Sequence, residues 1–159
     1  MDQLTLANDL LALARDKAAL IATAESCTGG LLAGAITEIP GASDIFERGL
    51  VTYTNVSKTE MLGVKSETLH KFGAVSEQVA AEMAQGALIN SSATIALSVT
   101  GIAGPGGSDH KPEGRVCFAL AQSGQSATAN TVEFGAIGRT NVRNASVVHG
   151  LQMLISALS

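Results

Sequence analysis

A mostly apolar run that stops at a short polar turn and then continues as a helical pattern is the feature that most constrains this chain. The run covers residues 19–24, and residues 25–30 then read Glu-Ser-Cys-Thr-Gly-Gly. From Leu31 to Ile39, apolar side chains recur at helical spacing. This pattern predicts a strand, a tight turn and a helix start. Proteins of the α/β class use that arrangement to present a nucleophile or bind an anion, because the first N–H groups of a helix lack intrahelical partners.

Ser26, in this turn, has three candidate roles. Its hydroxyl can cap the helix, bind a phosphate, or attack a carbonyl carbon whose oxyanion the free N–H groups stabilise. Cys27 is a second candidate nucleophile, because a helix start stabilises a thiolate. A small buried core residue is the commoner interpretation of such a cysteine. The residues alone leave these roles open.

The composition predicts a single globular domain over residues 1–159. Hydrophobic residues make up 46% of the chain and charged residues 15%, which is typical of a folded protein rather than a disordered one. Aromatic residues make up only 3%, so we expect a core of Ala, Val, Ile and Leu. The low charge and the many small residues also favour a buried interface between copies. We therefore expect a homo-oligomer, with a dimer favoured.

Charge and hydropathy argue against several functions. The net charge is −4 and no cluster of Lys and Arg stands out, which argues against a nucleic-acid partner. No apolar run reaches the roughly 18 residues that span a membrane. The first residues lack the basic-then-apolar layout of a signal peptide, so we expect a cytoplasmic protein. Cys27 and Cys117 fit a reducing compartment with no disulfide.

Hydrophobic periodicity and turn residues predict an α/β protein. The tight connection at 123–125 indicates that the last two strands form an antiparallel pair. We expect a three-layer α/β/α sandwich with a mixed, mostly parallel sheet of about five strands. The expected helices are 3–17, 29–39, a short one beginning at the capping-box pattern 57–60, 66–72, 77–90 and 139–158, and the expected strands are 19–25, 46–53, 94–100, 114–122 and 126–134.

Lys58 and Tyr53 are candidate partners for Ser26. Lys58 falls in the first turn of the helix predicted to begin at residue 57, where the helix dipole and partial burial both disfavour an ammonium ion. A neutral lysine can act as a general base, whereas the alternative is an exposed surface lysine. Tyr53, the only tyrosine, is either a strand residue at the sheet edge or a donor that relays a proton to the Lys58–Ser26 pair.

The three histidines are weaker candidates for the base. His70, His110 and His149 lie in polar or terminal-helix settings and do not have the spacing of metal ligands. We expect solvent-exposed structural residues at all three positions, and no metal site. The Gly-x-Ser-x-Gly elbow of serine hydrolases is absent, as is a Ser-x-x-Lys pattern.

A glycine-rich loop, residues 101–108, follows the third predicted strand. It matches neither the Walker A pattern nor Gly-x-Gly-x-x-Gly, but its glycines allow the backbone to approach a ligand closely. Thr100 ends the preceding strand, and ligands bind at the carboxyl edge of an open α/β sheet. Arg139 and Arg143 begin the last helix, and either can bind a phosphate through two hydrogen bonds. The alternatives are an ordinary turn and solvated surface charges.

Four motifs, in this order along nearly the whole chain, resemble the CinA C-terminal domain family. They are Thr-Ala-Glu-Ser-Cys-Thr-Gly-Gly (23–30), Phe-Glu-Arg-Gly-Leu-Val-Thr-Tyr-Thr-Asn (46–55), Gly-Ala-Val-Ser-Glu (73–77) and Val-Thr-Gly-Ile-Ala-Gly-Pro-Gly-Gly-Ser (99–108). Stand-alone members of this family are nicotinamide-nucleotide amidohydrolases. The resemblance implies hydrolysis of the carboxamide of nicotinamide mononucleotide to nicotinate mononucleotide and ammonia, without a cofactor, as a step in pyridine nucleotide recycling.

The resemblance also implies roles for individual residues. Ser26 would be the nucleophile, Lys58 the general base and Tyr53 an assisting hydroxyl. The positions expected to bind substrate or its oxyanion are Thr28, Gly29, Gly30, Ser43, Thr100, Gly101, Gly104 and Arg139. The match around Arg139 is the loosest, so Arg143 remains an alternative phosphate ligand.

Two other functions remain open at this point. One is a non-catalytic module of the same family that binds a nucleotide or phosphate, although the presence of Ser26, Tyr53 and Lys58 together favours an enzyme. The other is an amidase that uses Cys27 as nucleophile. Longer CinA proteins carry an additional N-terminal domain, which we do not expect here.

Overall fold

The computed structural model describes residues 1–108 and 110–159, and its centre is a five-stranded sheet with helices on both faces. The strands are β1 (Ile21–Glu25), β2 (Phe46–Val51), β3 (Ile95–Gly101), β4 (Arg115–Gln122) and β5 (Thr128–Glu133). The helices are α1 (Gln3–Asp16), α2 (Leu31–Thr37), α3 (Asn55–Leu62), α4 (Ser66–Phe72), α5 (Glu77–Ile89) and α6 (Arg139–Leu158), with a short 3-10 helix at Ala42–Asp44.

The sheet has the order β2-β1-β3-β4-β5. β1 pairs in parallel with both β2 and β3, whereas β4 pairs antiparallel with β3 and with β5. Four strands therefore run in one direction and β4 alone runs in the other, which confirms the predicted mixed, mostly parallel sheet. The carboxyl ends of β1, β2 and β3 lie together at one edge, which is where such sheets bind ligands.

Alternate residues of each strand pack into the layers on opposite faces. On one face, Ile21 and Leu97 pack into a cluster that includes apolar side chains of α1, α2 and α6. On the other face, Ala22 and Ala96 pack against Met83 and neighbouring side chains of α5. The arrangement confirms the predicted three layers and the small aliphatic core.

Every predicted helix and strand is present, with ends that differ from the prediction by up to two residues. The predicted capping box began at Ser57, but the helix begins at Asn55 and its box is formed by Thr54 and Ser57. The Thr54 hydroxyl accepts a hydrogen bond from the Ser57 N–H, and the Ser57 hydroxyl accepts one from the Thr54 N–H. Lys58 is therefore the fourth residue of α3. The boundaries of α4 and α6 coincide with the prediction.

A close contact with a glycine of α5 sets the position of α3. Gly86 of α5 lies against the backbone of Leu62, the last residue of α3, and a Cβ atom at Gly86 would overlap the Leu62 carbonyl. Because α3 carries Lys58, this close approach of the two helices also positions that side chain. Within residues 1–108 and 110–159, no helix is long and apolar enough to cross a membrane.

Two glycine-to-alanine substitutions test this contact. Gly86→Ala should destabilise the protein by about 1–3 kcal/mol, because the backbone of α3 must move away. Gly34→Ala is the matched control, since Gly34 lies in α2 with no atom within 4 Å of its Cβ position. It should stabilise the protein by about 0.5–1 kcal/mol through the gain in helix propensity. Urea unfolding measures the unfolding free energy of both variants. Equal changes in this free energy would contradict the contact between Gly86 and α3.

Candidate active site

A buried lysine lies directly beside Ser26. Lys58 is only 1% exposed, and its Nζ donates hydrogen bonds to Ser26 Oγ at 3.0 Å and to the Thr52 carbonyl oxygen at 2.9 Å. Ser26 follows β1, Thr52 follows the neighbouring β2, and α3 returns Lys58 to the same edge. The parallel pairing of β1 and β2 therefore brings a hydroxyl and an amine into contact across 32 residues of sequence.

Burial lowers the pKa of the Lys58 ammonium from 10.5 to about 8, because the site deprives the cation of water. From the sequence, part of this pKa shift was expected to come from the helix dipole in the first turn. Lys58 is the fourth residue of α3 rather than the second, so it lies at the end of the first turn. The direction of the pKa shift agrees with the expectation, and desolvation is its main cause.

The side chain of Glu25, not that of Ser26, binds the free N–H groups at the start of α2. This excludes the capping role that the sequence left open for Ser26. The Glu25 carboxylate accepts hydrogen bonds from the N–H groups of Leu32 at 2.9 Å and Ala33 at 3.0 Å. Gly30 is the N-cap residue and provides no side-chain bond. The Ser26 hydroxyl is therefore available to Lys58.

Arg143 braces the turn that carries Ser26. Its Nε donates to the Cys27 carbonyl oxygen at 3.0 Å, and its Nη2 lies 3.4 Å from the Thr28 carbonyl oxygen. Arg143 does not line the cleft in front of Ser26, whereas Arg139 does. Of the two candidate arginines, only Arg139 is placed to reach a ligand.

An open cleft of about 370 Å³ lies in front of the Ser26–Lys58 pair. Its walls include the glycine-rich loop 101–108 and the segment Ala74–Val75. The predicted site residues that line it are Ser26, Tyr53, Lys58, Thr100, Gly101, Gly104 and Arg139.

Arg139 links two sides of the cleft mouth. Its Nη1 donates to the Gly104 carbonyl oxygen and its Nη2 donates to Tyr53 Oη, both at 2.8 Å. Tyr53 makes no hydrogen bond with Ser26 or Lys58, and 57% of it is exposed. The tyrosine therefore contacts the guanidinium at the mouth rather than the amine at the base of the cleft.

Four residues expected to bind substrate do not line the cleft. Thr28 is fully buried beneath the turn, and Gly29 and Gly30 lie in the turn beyond it. Ser43 lies in the 3-10 helix before β2, at the opposite edge of the sheet, because β2 runs from that edge toward Ser26. Of these four, only Ser43 lies apart from the other site residues, because Thr28, Gly29 and Gly30 belong to the turn that carries Ser26 and the Gly29 N–H donates to the Ser26 carbonyl oxygen.

The cleft also contains residues that the sequence argument missed. Asn55 and Lys111 line it, and Glu25 lies directly behind it. Glu25 is fully buried although it is a carboxylate. Its position within the 23–30 motif was the available signal for Glu25. Lys111 lies just outside the glycine-rich motif and had no comparable signal.

The two cysteines are buried, and Cys27 is the one that lines the cleft beside Ser26. Burial raises the pKa of the Cys27 thiol to about 11, which agrees with the favoured interpretation of Cys27 as a small buried residue and not with the alternative of a stabilised thiolate. No histidine lines the cleft. His70 and His110 are exposed, but His149 is half-buried against the Phe118 ring at 4.4 Å between centroids, which corrects the expectation for that residue. Across the described residues, no group of three or more potential metal ligands occurs.

The chain and its fold match those of known proteins. The CinA C-terminal domain family matches residues 3–158. This chain belongs to that family. A competence/damage inducible protein from Agrobacterium tumefaciens has a crystal structure with a TM-score of 0.95 and 50% identity, covering 99% of this chain and 96% of that one. The family assignment made from four motifs is confirmed.

Curated relatives fall into two groups by length. The nicotinamide-nucleotide amidohydrolase of Escherichia coli K12 is 49% identical over 140 residues, which are 87% of this chain and 84% of that protein. The CinA-like protein of Chlorobium phaeobacteroides is 55% identical over 117 residues, which are 72% of this chain and 28% of that protein. The chain spans between 24% and 38% of the length of relatives of this second group.

A pH series of unfolding experiments tests the desolvated lysine. The pKa of Lys58 is about 8 in the folded protein, compared with 10.5 for a lysine exposed to water in an unfolded chain. Between these values the unfolded state binds more protons, so stability should rise with pH. Relative to Lys58→Met, the unfolding free energy of the wild type should increase by roughly 2 kcal/mol from pH 7 to pH 10. Parallel pH profiles for the two proteins would rule out a lowered pKa.

Proposed function

We propose that this protein hydrolyses the carboxamide of nicotinamide mononucleotide, releasing ammonia and nicotinate mononucleotide. The observation that carries the proposal is the 3.0 Å hydrogen bond between Lys58 Nζ and Ser26 Oγ at the base of an open cleft. The similarity to the Escherichia coli amidohydrolase, which extends over most of both chains, supports the choice of substrate.

An amide requires an activated nucleophile, because both its carbonyl carbon and its leaving group are unreactive. Neutral Lys58 accepts the Ser26 proton as Oγ attacks the carboxamide carbon. The resulting ammonium then donates a proton to the departing nitrogen, and ammonia leaves. Lys58 next activates a water molecule that hydrolyses the acyl-enzyme. A pKa of about 8 suits this cycle, since the amine can both accept and return a proton near neutral pH.

The turn after Ser26 supplies the oxyanion donor in this proposal. In that turn the Gly29 N–H donates to the Ser26 carbonyl, and the Leu32 and Ala33 N–H groups donate to Glu25. Among the described residues, the N–H groups of Cys27, Thr28 and Gly30 have no acceptor in another residue, and of these three residues Cys27 alone lines the cleft. We therefore choose the Cys27 N–H over the rest of the turn as the donor to the developing negative charge.

Arg139 and Tyr53 act in substrate binding in this scheme. The guanidinium lies at the cleft mouth and retains donors beyond the two it gives to Gly104 and Tyr53. These donors suit a phosphate group. Tyr53 holds the guanidinium in place. Thr100 shapes the wall, because its hydroxyl donates to the Ala74 carbonyl oxygen at 2.9 Å.

The remaining expectations stay predictions. They are a homo-oligomer, a cytoplasmic location and a single domain over residues 1–159. Exposed Val51 and Val56 beside the edge strand β2 are compatible with a contact between copies.

Substitution of the two adjacent nucleophile candidates tests the chemistry. Ser26→Ala should lower kcat for ammonia release from nicotinamide mononucleotide by about 10³-fold or more, since the attacking atom is lost. Cys27→Ala is the matched control, because the thiol is buried and protonated at neutral pH. It should retain activity within about tenfold. An active Ser26→Ala with an inactive Cys27→Ala would contradict the serine mechanism. No ammonia release from the folded wild-type protein would favour a binding module.

The pH dependence tests the base. The value of kcat/KM should rise with pH up to about 8, because only the neutral form of Lys58 accepts the Ser26 proton. Lys58→Arg keeps the positive charge but cannot lose its proton in this range, so it should be inactive throughout. A wild-type rate that stays constant from pH 6 to pH 9 would argue against Lys58 as the base.

A further inference from the structure

Lys111 lies in the wall of the cleft and is not used by the mechanism above. Its Nζ donates to the Phe72 carbonyl oxygen at 2.5 Å and to the Val75 carbonyl oxygen at 2.6 Å. Its backbone pairs with Ser108 at the end of the glycine-rich loop. An ammonium group has three N–H donors, so one donor remains after these two bonds. Lys111 lines the cleft, and this third donor is the one that its known contacts leave for a ligand.

The backbone around Lys111 is held at several points. The Phe72 and Val75 carbonyls accept from Lys111, the Gly73 carbonyl accepts from Ser76 Oγ, and the Ala74 carbonyl accepts from Thr100 Oγ1. All four consecutive carbonyl groups of residues 72–75 are thus bound by side chains. The ammonium of Lys111 is therefore held in place before any ligand arrives, which reduces the entropy that binding must remove.

The charged residues that line the cleft are cations, and the carboxylates nearest to it are engaged with backbone N–H groups: Glu113 accepts from Gly106, and Glu25 accepts from Leu32 and Ala33. Lys58, Lys111 and Arg139 line the cleft, and no carboxylate does so among residues 1–108 and 110–159. The two acceptors of Lys111 are neutral carbonyls, which orient the ammonium but do not neutralise its charge. A cleft with several fixed cations attracts an anionic ligand.

We propose that Lys111 is a specificity-determining residue that binds the phosphate of the substrate together with Arg139. The inference rests on the proposed function and deepens it: the substrate class is a pyridine mononucleotide, and the corresponding nucleoside is a poor substrate. Arg139 contributes a planar guanidinium at the exposed mouth of the cleft. Lys111 contributes a fixed point charge from the wall, and the two cations together match a phosphate dianion.

The experiment compares two substrates in five proteins. Ammonia release is measured from nicotinamide mononucleotide and from nicotinamide riboside in wild type, Lys111→Met, Lys111→Arg, Lys71→Met and Ser76→Ala. Lys71→Met is the matched charge control, because Lys71 is on α4 over the Phe72 ring and does not line the cleft. Ser76→Ala removes the hydrogen bond to the Gly73 carbonyl without changing charge, so it loosens the same wall.

Lys111→Met should lower the ratio of kcat/KM for the mononucleotide to that for the riboside by about 10- to 100-fold, mainly through KM for the mononucleotide. Lys111→Arg should restore part of that ratio. Lys71→Met and Ser76→Ala should leave the ratio near the wild-type value, whatever their effect on the absolute rates. If Lys111→Met lowers both activities equally, Lys111 has only a structural role in the wall and the inference is wrong.

A binding measurement separates this inference from the amidohydrolase proposal. Isothermal titration calorimetry with the mononucleotide, the riboside and inorganic phosphate needs no turnover. Weaker binding of the mononucleotide and of phosphate by Lys111→Met, with unchanged binding of the riboside, supports the anion site even if wild type releases no ammonia. Equal affinities of wild type and Lys111→Met for the mononucleotide would overturn it.

Discussion

The site depends on a buried lysine that has two hydrogen-bond acceptors among the described residues, neither of them a carboxylate. Lys58 bonds to Ser26 Oγ and to the Thr52 carbonyl. A carboxylate partner would hold the ammonium form and raise its pKa, whereas desolvation lowers the pKa to about 8. The cost of removing this charge from water must be offset elsewhere. The capped start of α3 and its close contact with Gly86 hold the helix that carries Lys58 in place.

A second buried charged residue, Glu25, determines what the start of α2 can do. Its carboxylate accepts hydrogen bonds from two N–H groups that could otherwise bind a substrate phosphate. The helix start therefore stabilises the turn that carries Ser26, and Arg143 braces the same turn from behind. Binding of the substrate phosphate is thus assigned in our proposal to the basic side chains Arg139 and Lys111 rather than to the start of α2.

Most of the fold could be predicted from the sequence, because most helices and strands are marked by signals within a few residues. Alternating apolar runs, glycine turns and Ser76 as a helix cap are short-range signals, and the structure confirms them. The start of α3 was misplaced because two overlapping capping patterns exist, and only backbone geometry shows that Thr54 forms the box. The missed roles of Glu25 and Lys111 have a different origin. Their hydrogen-bond partners lie 7 to 39 residues away, so the 23–30 motif contains Glu25 without showing what it binds, and no local pattern marks Lys111.

By itself, the sequence determined the α/β architecture, the family and the turn that presents Ser26, because these follow from periodicity and short motifs. Only the tertiary structure decided which groups surround that serine. The parallel pairing of β1 with β2 and the return of α3 bring Lys58 to Ser26. The direction of β2 carries Ser43 to the opposite edge of the sheet. Burial, and therefore the pKa values of Lys58 and Cys27, depends on packing between distant segments, which no stretch of sequence encodes alone.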